Sequence, residues 1–365
     1  MELTDQQLIE LLAKARMPED LFGVEATLEA VKELYRDWAL RLHPDTTKLE
    51  PKIAENNFRG LNLRYQEAKK RFDDGVYGDP TRLSEPIIIS KGGEVYTLTH
   101  FFRTGDMTDL YRGTDVAGED ILAKVTRNPN NNDLATNEFT TLKTLNIHPE
   151  ASIRADHAFI QDITASLRLS AGLNANRVVN IFPFIPDLVS LQDIINDNPD
   201  GIDVRDAAWM INRAFGSLTN AHSISKVHGA VLPRHILVNL STHAGFITDW
   251  CYSVDSGNPL KAFVSAERAL YPYEVFQKKP VYVDLDVYML GKTLLRLLGP
   301  KVNQSNVGSL VPKNIAGVIH GMTMTAGLRY QTAYEAFVDW ETNIKETYGK
   351  SFRPFTYKGK TYTLP

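Results

Sequence analysis

The chain has 365 residues, 43% of them apolar and 23% charged, with a formal charge of −4 at pH 7. That length allows two or three domains, and the balance is that of an ordinary globular protein. The mild negative charge gives no global pull toward nucleic acid, and no apolar run reaches the length needed to span a bilayer, so neither kind of partner is indicated. The single cysteine, Cys251, excludes an intrachain disulfide and suits a reducing compartment. The start, MELTDQQ, is acidic and lacks the apolar segment of a secretory signal, so a cytoplasmic protein is expected.

Residues 1–75 read as helical. Thr4 with Gln7 has the pattern of a capping box opening a short helix to about Arg16, which Pro18 interrupts. Thr27 can cap the next helix, whose apolar residues Leu28, Val31, Tyr35, Trp38 and Leu42 fall on one face. A third helix is expected from about Ile53 to Phe72, with Ala54, Phe58, Leu61, Tyr65, Ala68 and Phe72 at the same spacing. Two such stripes joined by a short loop predict an antiparallel helical hairpin.

DDGVYGDPTR (73–82) is turn-rich and marks a boundary. After it the hydrophobic period changes. PIIIS, EVYTLTHFF, DLYRGTD and DILAKVTR are short β-branched or aromatic runs and read as hairpin strands. DLATNEFTTLKTL (133–145) returns to helix, and ASLRLSA and RVVNIFPFI are further strands. From Leu188 onward helices dominate. In 204–222, Ala208, Ile211, Phe215, Leu218 and His222 share one stripe; 284–298, 311–321 and 332–347 also read as helices. The expected fold is α+β: an all-α domain over 1–75, a linker and first strand over 76–94, a strand-rich lobe over 95–187, a helical lobe over 188–350 and a tail over 351–365. The tail SFRPFTYKGKTYTLP echoes SKGGEVYTLTH at 90–100. Both read as hairpins, and the shared string is read as coincidence rather than as an internal repeat.

Between the two long helices sits LHPDT, with His43, Pro44 and Asp45. Alone, the tripeptide is a helix stop, because proline breaks a helix and the residue before it avoids the helical region. In its context, an exposed His-Pro-Asp joining two antiparallel amphipathic helices, the segment 17–75 resembles the J domain of DnaJ-type co-chaperones. The resemblance implies that His43, Pro44 and Asp45 contact a heat-shock chaperone ATPase and stimulate its hydrolysis. Lys32, Arg36 and Arg41 would be their electrostatic partners. Glu33 and Asp37 dilute that basic face, which departs from the family pattern.

A second set of strings follows. RTGDMTDLYRG (103–113) lies between strand candidates, where a phosphate-cradling loop would carry three glycines; only Gly105 fits, and Arg103 and Thr108 stand at the flanking positions. A plain hairpin turn explains this stretch equally well. ILAKVTR places Lys124 on a strand, and NEFTTLKTL places Glu138 on the next helix. NIFPFIPDLVSLQDII (180–195) passes from an apolar strand through Pro and Asp into a helix, a hinge near Phe184–Asp187. HGAVLPRHILVN (228–239), ITDWCYS, YPYEV (271–275), DLDVYMLGKTLL and LRYQTAYEAFVDW come next. Each has a bland reading, as a surface lysine, a solvated glutamate or a turn aspartate. In order and spacing together they resemble the protein-kinase superfamily over about residues 95–345.

That resemblance implies a bilobal fold with a β-rich N-lobe and a helical C-lobe. It implies ATP phosphates held at Gly105 and Lys124, with Glu138 as the ion partner of Lys124, adenine at the hinge beside Phe184, and Mg²⁺ at Asp249. Glu274 with Arg329 would be a structural ion pair. Asp286 would bind the backbone of the catalytic loop, and Gly291 would allow close packing.

The pattern departs from the family where the chemistry is done. Ala230 stands at the catalytic aspartate, Leu232 at the usual lysine and His235 at the metal-binding asparagine; Trp250 and Cys251 follow Asp249 in place of Phe and Gly, while Ile236, Leu237 and Val238 keep the buried strand. Alanine has no lone pair to accept a proton from an attacking hydroxyl. Neutral imidazole suits Mg²⁺ poorly, since that ion prefers oxygen ligands. No catalytic residue is therefore assigned in the loop of His228, Ala230 and His235. Of His228 and Asp255 as substitute bases, neither is adopted; His228 is read as structural. The expectation is a J-domain-containing pseudokinase, a scaffold or nucleotide-sensing adaptor for an unidentified protein client, that binds ATP and Mg²⁺ weakly or not at all. The alternatives are an atypical ATP-dependent Ser/Thr protein kinase and a client-binding co-chaperone with no nucleotide role.

Overall fold

The computed structural model describes residues 3–15, 17–47, 49–79, 81–147, 159–169, 176–349 and 353–362. Arg16, the end of the ASLRLSA run (170–171) and the tail residues 351–352 and 363–365 lie outside the described residues. The chain separates into two units, Met1–Gly105 with Asp109–Ala123, and Asp106–Thr108 with Lys124–Pro365.

The first unit opens with four helices, α1 (Asp5–Lys14), α2 (Pro18–Phe22), α3 (Leu28–Leu42) and α4 (Pro51–Asp73). The Thr4 and Gln7 side chains close a capping box on α1, and the Thr27 hydroxyl accepts the Ala30 N–H at 3.2 Å to cap α3. Pro18 does not simply end a helix. It occupies the first position of α2, where a missing N–H costs nothing. Val31, Trp38 and Leu42 of α3 and Ala54, Leu61 and Ala68 of α4 are buried. The helices run antiparallel: Tyr35 stacks on Tyr65 at 3.9 Å between ring centroids, and His43 meets Phe58 at 4.9 Å. Arg41 ties α3 to α1, donating from Nη2 to Asp5 Oδ1 at 2.7 Å.

The segment after α4 is pinned rather than loose. Arg71, with no solvent exposure, donates from Nε to Glu19 Oε1 at 2.8 Å and from its remaining nitrogens to the carbonyls of Val76, Asp79 and Arg82. A buried guanidinium demands such acceptors, and the turn supplies them. Strands β1 (Arg82–Lys91), β2 (Glu94–Thr104), β3 (Thr108–Thr114) and β4 (Asp120–Thr126) follow as an antiparallel meander, with Gly92 and Gly93 at positive φ in the first turn. Gly113 admits no side chain, because a Cβ there would lie 2.1 Å from the Thr97 carbonyl oxygen.

In the second unit the end of β4 reaches β6 (Val178–Pro183) through Thr126, whose hydroxyl bonds the Val178 backbone; β6 pairs with β5 (Ala165–Arg168). Helix α5 (Asn132–Ile147) intervenes in sequence. Beyond Leu188 the chain is not purely helical. Strand β7 (Leu188–Ser190) pairs with β9 (Ile236–Asn239), which pairs with β10 (Gly245–Ile247); β8 (Lys226–Val227) pairs with β11 (Val254–Asp255). The strand at Ile236–Asn239 is the one the resemblance implied; the others are too short for a hydrophobic period to reveal. Helices α6 (Leu191–Asp197), α7 (Val204–Ser223), α8 (Asp284–Leu297), α9 (Lys313–Met322) and α10 (Ala333–Tyr348) make up the helical mass. Ala208, Ile211, Phe215 and Leu218 of α7 join Leu290, Leu294, Ile315 and Trp340 in one buried core. The tail forms the hairpin β12 (Phe355–Tyr357) and β13 (Lys360–Tyr362); Phe355 and Tyr357 enter that core, and Arg353 bridges Asp203 and Asp206 at 3.1 Å each.

Candidate active site

Four elements of the second unit converge: the end of β4, α5, the loop between β8 and β9, and the segment after β10. Lys124 on β4 donates to Glu138 Oε1 on α5 at 2.7 Å and to Asp249 Oδ1 at 3.0 Å, with its ammonium 5.2 Å from the centre of the Phe182 ring. Glu138 is itself held, its Oε2 accepting the Asn180 amide at 3.0 Å. Burial alone would lower the Lys124 pKa, but Asp249 and Glu138 outweigh it and raise it. Asp249 adopts a left-handed backbone (φ 62°), tolerable for aspartate, and starts the turn Trp250–Tyr252. Burial would raise its carboxyl pKa, yet Lys124 and His235 hold it far below the usual range.

The loop HGAVLPRH is a knot of backbone bonds. Asp286 on α8 accepts the N–H groups of His228 at 2.7 Å and Gly229 at 2.8 Å. The Ala230 N–H donates to His228 Nδ1 at 3.1 Å, so His228 Nε2 carries the hydrogen that meets the Thr248 carbonyl at 2.9 Å. His228 is fully buried against Trp250, and burial lowers its pKa to about 4. It is neutral, with both nitrogens engaged. Asp255 pairs with Lys226 on the neighbouring strand, its side chain 71% exposed. Ala230 is fully buried. Gly291 on α8 is equally constrained, since a Cβ would lie 2.7 Å from Thr323 Cγ2. Glu274 accepts from Arg329 at 2.8 Å, and Arg329 also binds Asp284 at 2.7 Å.

His235 is different. Its Nδ1 faces the Ala230 carbonyl oxygen at 2.9 Å, and its Nε2 faces Asp106 Oδ2 at 2.9 Å and Asp249 Oδ2 at 3.7 Å. Both neighbours are acceptors, so both nitrogens must carry hydrogen, and the ring is an imidazolium. Burial opposes that charge; Asp249 and Asp106 overcome it and raise the pKa. Asp106 was not among the residues singled out from sequence. It follows Gly105 in the turn after β2, and its carboxylate meets His235, Arg234 at 3.0 Å and the Tyr252 hydroxyl at 3.4 Å. Arg234 continues the chain to Glu267 at 2.7 Å, and Glu267 to Arg296 at 2.6 Å. The one sequence signal for Asp106 was its place beside the turn glycine. For Arg234 and Glu267 there was none, because ion pairs between distant segments leave no periodicity.

These donors do not fit Mg²⁺. The metal wants several hard oxygen ligands in near-octahedral array. Asp249 Oδ1 is bonded to Lys124 and Oδ2 to the Thr248 hydroxyl at 3.0 Å, while His235, which the resemblance placed at a metal-binding asparagine, is an imidazolium with no lone pair to offer. Among the described residues no group of three or more His, Cys, Asp or Glu side chains is arranged to hold a metal ion. The Asp106 carboxylate bonded to His235 would also repel phosphate oxygens.

The contact residues proposed for the helical hairpin lie in the first unit. His43 ends α3, its Nδ1 accepting the Asp45 N–H at 3.2 Å, and Pro44 and Asp45 are exposed. Arg36 is exposed and Lys32 half-buried, whereas Arg41 is committed to Asp5. Phe184 lies half-buried between β6 and β7, in the turn where Asp187 has φ 58°.

No family model and no curated protein matches the chain. Solved structures do. The kinase domain of Mycobacterium tuberculosis PknI is similar at TM-score 0.52 and 14% identity, covering 70% of this chain and 98% of that one. Two substituted forms of the same domain give TM-scores of 0.53 and 0.51 at 14% and 16% identity. Among the described residues no helix is long and apolar enough to cross a membrane. The chain shares the fold of protein-kinase domains, with a β-rich and a helical part.

Proposed function

We propose that this protein is a pseudokinase, an adaptor that transfers no phosphate, carrying a J-type helical hairpin through which a heat-shock chaperone ATPase is recruited to an unidentified client. The observation that carries the first half is the closed ion network at the cleft. Ala230 offers no base, and the imidazolium of His235, gripped by Asp106 and Asp249, takes the place of a divalent ion. ATP and Mg²⁺ have no free ligand set to enter. The second half is supported by the exposure of Pro44 and Asp45 beside a groove of about 560 Å³ that includes Leu40, 70% exposed, and Phe58. Leu40 beside the polar turn supplies apolar area for a docking partner to cover.

Two measurements test this reading. Purified full chain incubated with labelled ATP and Mg²⁺ is expected to incorporate no phosphate, and its melting temperature is expected not to move, since a ligand that binds only the folded state must raise it. Autophosphorylation that disappears on Asp249→Ala would establish an active kinase instead. Separately, the chain is expected to stimulate a heat-shock chaperone ATPase and His43→Gln to abolish that stimulation; no stimulation by the unsubstituted chain removes the co-chaperone role, and equal stimulation by both removes the His43 turn from it.

A further inference from the structure

The first strand of the meander lies at the edge of its sheet. β1 pairs with β2 on one side, and among the described residues no strand pairs with its other side. Such an edge offers a row of N–H and C=O groups to any strand that matches it. The Gly92–Gly93 turn sets which residues offer them. Lys91 and Glu94 face each other across that two-residue turn, and Ile89–Tyr96 and Ile87–Leu98 follow at alternate positions. The backbone bonds of Lys91, Ile89 and Ile87 therefore run to β2, and those of Ser90 and Ile88 point outward.

Natural edges are blunted by charge or proline. Here both devices flank the strand's centre and leave the centre bare. Pro86, with no N–H, closes one end of the run, Glu85 and Lys91 are exposed at either side, and Ile87, Ile88 and Ile89 lie between them. Ile89 is buried, but Ile88 keeps 69% of its surface in water. Glu85 meets Lys70 at 3.0 Å, an exposed pair whose carboxylate still has room for a second cation.

The string is its own complement. Laid antiparallel on a copy of itself about an axis through Ile88, it sets Ile88 on Ile88, Ile87 on Ile89 and Glu85 on Lys91. In this register the outward groups of Ile88 also face each other. A shift of two residues, the smallest that keeps outward groups paired, sets Ile88 against Ser90 or Pro86 and Lys91 against Ile87 or Leu83. Only the register centred on Ile88 matches both the apolar residues and the charges.

We propose that the edge of β1 from Glu85 to Lys91 binds a second copy of this chain as an antiparallel, two-fold strand pair centred on Ile88. A strand complementary to itself in charge and in apolar match fits its own copy better than an unrelated strand. The edge contributes no residue to the cleft at Lys124 or to the His43 turn, so the assignment is independent of both roles proposed above. One strand pair buries less than the roughly 1,200 Å² of stable complexes, so dimers are expected in the micromolar range.

Sedimentation velocity of the full chain at rising concentration should show a monomer–dimer equilibrium. Glu85→Lys and Lys91→Glu each place like charges at both ends of the pair, and each should weaken dimerisation about tenfold. Mixed in equal amounts, the two variants should associate about as tightly as the parent, because each chain then meets opposite charge at both ends. Ile88→Lys should abolish the dimer yet melt within about two degrees of the parent, since that side chain is exposed. A chain that stays monomeric throughout, no recovery on mixing the two variants, or dimers indifferent to Ile88→Lys overturns the proposal.

Discussion

The helical hairpin and the kinase-like cleft handle polar groups in opposite ways. At the turn of the hairpin Pro44 and Asp45 stand exposed, and Leu40 beside them leaves 70% of its surface in water. In the cleft, Lys124, Glu138, His235, Asp106 and Asp249 satisfy one another across 2.7 to 3.0 Å bonds. A surface that keeps apolar area exposed retains interaction free energy for a partner. A buried network that is complete has little left to give a ligand, because every new contact must first break an old one. The proposed division, with partner recognition at the hairpin and a structural role at the cleft, rests on that difference.

The sharpest way to break it is to remove the hub of the network. Lys124→Met leaves Glu138 and Asp249 without their shared cation and is expected to cost about 3–5 kcal/mol of unfolding free energy in urea titrations. A loss near zero would show that this buried cation does not hold Glu138 and Asp249 in place. Next, Asp106→Gly with His235→Asn exchanges the internal cation for an oxygen ligand and removes the repelling carboxylate. This double variant is expected to gain a melting shift of several degrees with ATP and Mg²⁺, equivalent to about 2.7 kcal/mol at a ligand concentration a hundredfold above Kd. The parent should show none.

Acidity offers a third test. The His235 pKa is raised by folding, so its contribution is full below the unfolded value of about 6.5 and is lost as pH rises through the higher folded value. Asp249 and Asp106 are lowered, so theirs is full above about 3.9 and is lost on acidification. His228, held neutral with a pKa of about 4, costs stability as pH falls from about 6.5 toward that value. As pH rises from about 6.5 through the raised folded value, the parent should lose stability relative to His235→Gln, which lacks this titration. A parallel decline in both proteins would mean that His235 is neutral. Smaller still, Thr27→Ala removes a cap of α3 and should cost about 1 kcal/mol. His43→Gln, at an exposed turn, should change stability by less than about 0.5 kcal/mol while altering only chaperone stimulation.

Helices were legible where the stripe was long. The Leu28–Leu42 and Ala333–Tyr348 helices follow from apolar residues at spacings of three and four, and the caps at Thr4 and Thr27 are local patterns of side chain and backbone. The three-residue strands β7 and β10 were not, since they are shorter than any period that could announce them. At the cleft, Lys124, Glu138, Asp249 and Asp286 could be singled out because each sits in a string with a resemblance. Asp106 could not, because its importance comes from an imidazole 129 positions later.

Sequence alone determined that position 230 carries no base, where the long amphipathic helices form and where a His-Pro-Asp turn lies. These are properties of one residue or of neighbours within a few turns. Tertiary structure alone decided that His235 is charged and that a carboxylate beside the turn glycine closes on it. The protonation state of a buried ring is set by what faces its two nitrogens, and those acceptors, Asp106 and the Ala230 carbonyl, meet only when distant segments pack.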